Sequence, residues 1–324
     1  MSERSNQTID TAAKAVMSAE PASLRARALR QISSHIVRPV LTAIPVNEHT
    51  LPAARMVIDR IMRAVAPVLD GTAIEAIEDG SIRAEWVRGP HATRDDAAIL
   101  YVHGGGFITG SARSYRGVTS RLSTATRLPV LAVDYRLAPE NPYTAAASDV
   151  STAYHLLRKR GFTPNRIVIA GDSAGGYLAT DFVIDSADHG RSRAAALLLF
   201  SPMADLELDL ARRCDGRDAL LGLATARAAM AHLADAPRQL RPRSATPLPP
   251  TLIHASSDEL FAADAIALAD RLGTAGTRCD LRLWPHQMHV FHTLAALVPE
   301  SRTAYRESGR FVTDVLESPA AQAI

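Results

Sequence analysis

The sequence predicts an α/β protein built on one mostly parallel sheet with helices on both faces. Three observations predict it. Short, continuously apolar runs recur through the middle and end of the chain, helix-like stretches separate most of them, and one run leads straight into a glycine-flanked turn and a helical pattern. A strand that is apolar on both sides needs cover on both sides, as in a parallel sheet with crossover helices.

Residues 1–70 are rich in alanine and arginine. Leu24, Ala28, Ile32 and Ile36, then Met56, Val57, Ile61 and Val65, fall at helical spacing, punctuated by Pro39, Pro45 and Pro52. At least two helices with a proline-marked connection are expected, packed against the core or forming part of a cap over a site. No strand signal precedes about residue 72.

From Ala73 the pattern alternates. Residues 74–77 and 82–87 read as antiparallel strands joined at Asp79-Gly80. Apolar runs follow at 98–102, 130–133, 167–170, 195–200, 251–255 and 281–284, with helical stretches at 117–126, 145–160 and 177–187. Between Pro202 and Pro250 there is no strand signal. Helical patterning over 220–233 gives way to a proline- and arginine-rich connection through Pro237, Pro242, Pro247, Pro249 and Pro250. A connection this long predicts an insertion above the C-terminal edge of the sheet. The expected division is a helical cap segment at 1–70, a core at 71–202 and 248–324, and a cap insertion at 203–247.

Composition narrows the function classes. The 324 residues are 47% hydrophobic and 22% charged, ordinary for a globular chain with a large core. Net charge is +2, and the arginines are scattered among acids, which argues against nucleic-acid binding. Cys214 and Cys279 suit neither a disulfide framework nor a metal cluster and are expected to be reduced thiols. The polar start (Ser2, Glu3, Arg4, Ser5, Asn6) has no apolar signal-like run after it, and no window has the ~20 apolar residues of a membrane span. A cytoplasmic protein without an integral membrane segment is expected.

Chemistry concentrates in three places. Gly171-Asp172-Ser173-Ala174-Gly175 stands between an apolar run and a helical pattern, so Ser173 sits at the tip of a tight strand-to-helix turn, beside the N–H groups of the following helix. His103-Gly104-Gly105-Gly106 follows another strand, where consecutive glycines let backbone N–H groups approach a ligand atom. Gly104, Gly106 and Gly110 only loosely imitate a dinucleotide fingerprint, because three residues separate the last two glycines. A serine nucleophile needs a base, and the base needs a carboxylate to orient it. Asp258 follows the 251–255 run and fits the strand end best. Glu259 is its neighbour, and Asp264 falls inside a stretch that reads as a helix. Spacing leaves the base open among His286, His289 and His292.

Taken together, His103-Gly104-Gly105-Gly106, the stretch Asp134 to Glu140, Gly171-Asp172-Ser173-Ala174-Gly175-Gly176, Ser257-Asp258-Glu259-Leu260 and Met288-His289-Val290-Phe291 resemble the bacterial hormone-sensitive-lipase-like esterases. The resemblance runs from about Ile99 to the C-terminal helix. It implies an α/β-hydrolase fold with a helical cap, a Ser173–Asp258–His289 triad and an oxyanion hole of Gly105, Gly106 and Ala174. His103 would hold its loop, and the Asp134 to Glu140 stretch would brace neighbouring loops without taking part in chemistry. The expected substrate is a small-molecule ester with a short- to medium-chain acyl or acetyl group, with no cofactor and no metal. Similar proteins often form homodimers.

Two departures stand out. Tyr177 replaces an asparagine common in the family and bears on the pocket wall. Glu259 replaces a proline common after the acid, as in the acetyl-hydrolase and lactone-hydrolase subgroup. Lactone hydrolysis and deacetylation are therefore alternatives. So is a non-catalytic receptor of the same fold, although the receptors similar to these esterases lack the histidine that His289 supplies here.

Overall fold

Alternation along the central strands divides the core in two. In Ala98–Val102, the side chains of Ala98, Leu100 and Val102 join one apolar cluster while Ile99 and Tyr101 join another, and Ala196–Phe200 divides in the same way. Each strand thus buries both faces, worth about 1.5–3 kcal/mol per large side chain. A computed structural model describes residues 14–17, 21–43, 46–47, 49–80, 82–191, 193–234, 236, 240 and 248–318.

In chain order the elements are β1 (Lys14–Met17), α1 (Leu24–Ile32), a π-turn (Ser33–Val37), α2 (Arg38–Ala43), α3 (Leu51–Val65), β2 (Ala73–Asp79), β3 (Ile82–Arg88), β4 (Ala98–Val102), α4 (Arg116–Thr126), β5 (Val130–Val133) and α5 (Tyr143–Lys159). They continue with β6 (Ile167–Asp172), α6 (Ser173–Asp188), β7 (Ala196–Phe200), α7 (Asp209–Arg212), α8 (Leu223–Met230), β8 (Thr251–Ser256), α9 (Ala262–Thr274), β9 (Cys279–Trp284) and α10 (Pro299–Glu317). The nine strands form one sheet in the order β1-β9-β8-β7-β6-β4-β5-β3-β2, parallel except where β3 joins β2 and β5. This is the α/β-hydrolase fold.

The N-terminal region departs from expectation twice. It is not wholly helical, because β1 extends the sheet by pairing in parallel with β9. Its helices form where the spacing predicts them, yet Leu24, Ile32, Ile36, Met56, Val57 and Ile61 face solvent. Contact with the core runs instead through Leu51 at the start of α3, through small residues and through polar ties. Ala22 and Ala26 pack on Val298, and Ser23, which caps α1, also donates to Glu300 through its N–H (2.5 Å) and its hydroxyl (3.1 Å).

The insertion between β7 and β8 carries α7 and α8 and meets the N-terminal helices. Arg38 Nη1 donates to Asp218 O (2.7 Å), and His232 Nε2 lies 3.2 Å from Val46 O. Pro237, Pro242 and Pro247 of the expected proline-rich connection, like Pro45, lie outside the described residues. The Asp134 to Glu140 stretch braces its surroundings. Arg136 forks onto Asp149, and Arg55 forks onto Glu140, whose carboxyl falls to about 2 mainly through that hydrogen bond. Cys214 and Cys279 are buried, unpaired thiols, and among the described residues no helix is long and apolar enough to cross a membrane.

Helix α10 closes against α4 at Gly309, where an added Cβ would stand 2.2 Å from the carbonyl oxygen of Ala125. Gly309→Ala is expected to force the two helices apart and cost about 1–3 kcal/mol, read as a lower midpoint in urea unfolding.

Candidate active site

The strand-to-helix turn forms because β6 ends against residues that leave no room for side chains. A Cβ on Gly175 would lie 2.1 Å from Val102 O and 2.3 Å from His103 O, so α6 can rise directly beside β4 only with glycine there. Ser173 occupies the corner at φ +51°, a left-handed conformation unusual for a residue with a side chain, as expected of a tight nucleophile turn. Its Oγ lies 2.9 Å from His289 Nε2. Both residues are nearly sealed, at 6% and 5% exposure.

His289 is the histidine brought to the serine. His286 stays outside, beside Asp258, while His292 is fully buried and stacks on Phe200 with ring centroids 4.4 Å apart. The other imidazole nitrogen faces a different carboxylate from the one expected. Glu259 Oε2 stands 3.6 Å from His289 Nδ1 and is itself held by Ser201 Oγ at 2.8 Å. Asp258 turns away. Its Oδ2 accepts from the N–H of His286 (2.6 Å) and lies 3.8 Å from Arg30 Nη1, on the outer side of the loop. Asp264 is not at the site either, and caps the start of the insertion through the N–H groups of Ala204 and Asp205.

The chain leaving β8 explains the exchange. Leu260 and Phe261 are buried, so the residue before them is drawn inward with them, and Asp258 is left on the outer side. A carboxylate directly before an apolar pair was the signal available in the sequence. Ser201 was missed altogether. Ending β7 at φ +47°, it donates to Glu259 and accepts from Val290 N (3.1 Å), tying acid loop to histidine loop. Burial alone would pull the His289 pKa down, but the nearby carboxylate of Glu259, with those of Asp218 and Asp172, raises it above the ordinary histidine value.

The glycine loop lies beside this pair. Gly105 takes φ +115° and Gly106 φ +62°, and a Cβ on Gly105 would stand 2.3 Å from Thr109 O. The loop is fixed from below, with Tyr135 OH donating to His103 O (2.9 Å), the His103 ring stacked on Tyr135, and Gly104 N donating to Asp172 Oδ1 (3.0 Å). Gly106 faces Ala229 of α8, so the insertion overhangs the loop. Tyr177, one turn along α6 from Ser173, is fully buried, and its ring stands edge-on to Phe107 and Tyr143 at 6.1 Å from each.

A nucleophile corner, an imidazole within hydrogen-bond reach and a carboxylate on the imidazole's far side define a serine hydrolase on an α/β-hydrolase fold. A model for the alpha/beta hydrolase fold matches residues 99–293. An acetyl-hydrolase of Streptomyces hygroscopicus is 37% identical, covering 74% of this chain and 82% of that protein. The esterase LipU of Mycobacterium tuberculosis is 35% identical, covering 86% and 98%. The crystal structure of an esterase from the bacterial hormone-sensitive lipase family is 28% identical, covers 92% of this chain and all of that one, and superposes with a TM-score of 0.82. The chain belongs to this hormone-sensitive-lipase-like family of esterase and lipase-like serine hydrolases.

Asp172 ties the nucleophile turn to the glycine loop. It is fully buried and accepts from Tyr101 OH (2.7 Å), Tyr115 OH (3.0 Å) and Gly104 N. Burial pushes its carboxyl up to about 6, against the lowering effect of those donors. A carboxyl raised on folding takes up its proton in the native state first, so it favours the native state as pH falls from about 6 towards 4. Asp172→Asn removes that gain. The unfolding free energy of the wild type, relative to the variant, is expected to rise through this window by at most about 1.4 kcal/mol per pH unit. Urea titrations at several pH values measure it.

Proposed function

We propose that the protein hydrolyses short- to medium-chain acyl or acetyl esters through an acyl-enzyme, with Ser173 as nucleophile, His289 as general base and acid, and Glu259 as the orienting carboxylate. The observation that carries this reading is the 2.9 Å approach of Ser173 Oγ to His289 Nε2 with Glu259 facing Nδ1. In that order the hydroxyl proton passes to Nε2 as Oγ attacks the ester carbonyl, while Glu259 keeps the other proton on Nδ1 and steadies the imidazolium. The 3.6 Å between Nδ1 and Glu259 is a resting separation that shortens as positive charge develops.

The N–H groups of Gly105, Gly106 and Ala174 receive the oxyanion, each worth about 2.7–4 kcal/mol of barrier in measured cases. His289 then returns its proton to the leaving alcohol, and water repeats the sequence to free the acid. The N-terminal helices and the insertion act as the cap, with α8 over Gly106 restricting acyl length. Support for a compact acyl group comes from the buried Tyr177, Phe107 and Tyr143 cluster and from the acetyl-hydrolase named among the relatives.

Ser173→Ala is expected to lose about 10⁴-fold or more in kcat/KM on p-nitrophenyl butyrate and to resist organophosphate labelling; persistent turnover in the purified variant would refute the nucleophile. Glu259→Gln should lose about 10³–10⁴-fold, and Asp258→Asn only about threefold or less. The reverse ranking would restore Asp258 to the triad. Because neutral His289 is the active form and its pKa is raised, kcat/KM falls on acidification with a midpoint above that of ordinary histidine. Removing the Glu259 charge shifts that midpoint down. Across acetate, butyrate, octanoate and palmitate esters, specificity is expected to peak at acetate or butyrate and to fall by about tenfold or more at palmitate. A maximum at palmitate would overturn the acyl-size assignment.

A further inference from the structure

The loops that carry the acid and the imidazole are both held by a residue that belongs to neither. Asp218, in the insertion between α7 and α8, is 1% exposed. Its Oδ2 accepts from the N–H of Leu260 (2.9 Å), the residue after Glu259. Its Oδ1 accepts from Leu220 N (2.8 Å) and, at 3.4 Å, from the N–H of His289 itself. An aspartate that merely turned its own loop would need only the Leu220 N–H. The other two acceptances reach across to the catalytic loops.

The same residue is anchored from the N-terminal side. Arg38 Nη1 of α2 donates to the Asp218 carbonyl (2.7 Å), and Arg30 of α1 bridges Arg217 O (2.9 Å) and Gln287 O (3.2 Å), two residues before His289. Both parts of the cap therefore converge where the acid and histidine loops meet. Ser201 grips those loops from the sheet, and Asp218 grips them from above.

We propose that Asp218 is a positioning residue through which seating of the cap completes the Glu259–His289 pair, so that the hydrolytic site is fully assembled only when the insertion is docked. The proposal rests on the triad reading above. With Asp218 in place, the main chain on both sides of the 3.6 Å gap is fixed; with it gone, Leu260 N and His289 N lose their acceptor and the imidazole is free to drift. The groups facing His289 are Glu259 from the β8–α9 loop, Asp172 from β6, Asp218 from the insertion and the neutral, buried His292 from its own segment. Asp218 adds its charge to those of Glu259 and Asp172 in favour of the imidazolium.

The test is Asp218→Asn, which keeps the shape but removes the charge and turns one acceptor into a donor. In variant protein of native secondary structure, kcat on p-nitrophenyl butyrate is expected to fall about tenfold with KM nearly unchanged, and the acid limb of kcat/KM to move down by about half a pH unit. Introduced on top of Glu259→Gln, the same change should cost far less than tenfold, because both act through His289. Wild-type kcat and pH profile in folded Asp218→Asn, beside an inactive Glu259→Gln, would overturn the linkage and leave the triad standing; an active Glu259→Gln would overturn both. If Asp218→Asn does not fold, Arg38→Ala decides. A several-fold loss of kcat at unchanged KM supports the linkage, and wild-type kcat defeats it.

Discussion

The structure depends on the side-by-side order of four parallel strands. In the sheet β6, β7, β8 and β9 are consecutive neighbours, and each ends at the same edge with one part of the site: Ser173 after β6, Ser201 at the end of β7, Glu259 after β8 and His289 after β9. Strands about 4.8 Å apart set the spacing between these ends before any side chain is chosen. The register is held by apolar residues facing both layers, so the geometry of the chemistry is inherited from the packing of Leu197, Leu198, Ile253 and Leu281.

Much of this was legible in the sequence because the central strands are apolar on both sides and cannot be anything but interior. The nucleophile turn was legible for a steric reason, since two glycines around a serine after such a run leave few other conformations. The histidine needed the family resemblance, because three imidazoles stand within seven residues and spacing does not distinguish them.

What could not be read follows from direction. Asp258 and Glu259 are adjacent, and which one points inward depends on how the chain leaves β8, a tertiary property settled by the burial of Leu260 and Phe261. The four residues of β1 are too few to carry a period, and their pairing exists only because β9 offers an edge. The helical spacing of the N-terminal apolar residues identified the helices but not the side they bury. Contact there runs through Leu51 at the very start of α3, through alanines and through arginine-to-carbonyl bonds, which together leave no periodic hydrophobic pattern.

The near-complete enclosure of Ser173 and His289 bears on the second half of turnover as much as the first. Any second reactant, water included, has to reach the Ser173 oxygen through the little of its surface that the fold leaves open.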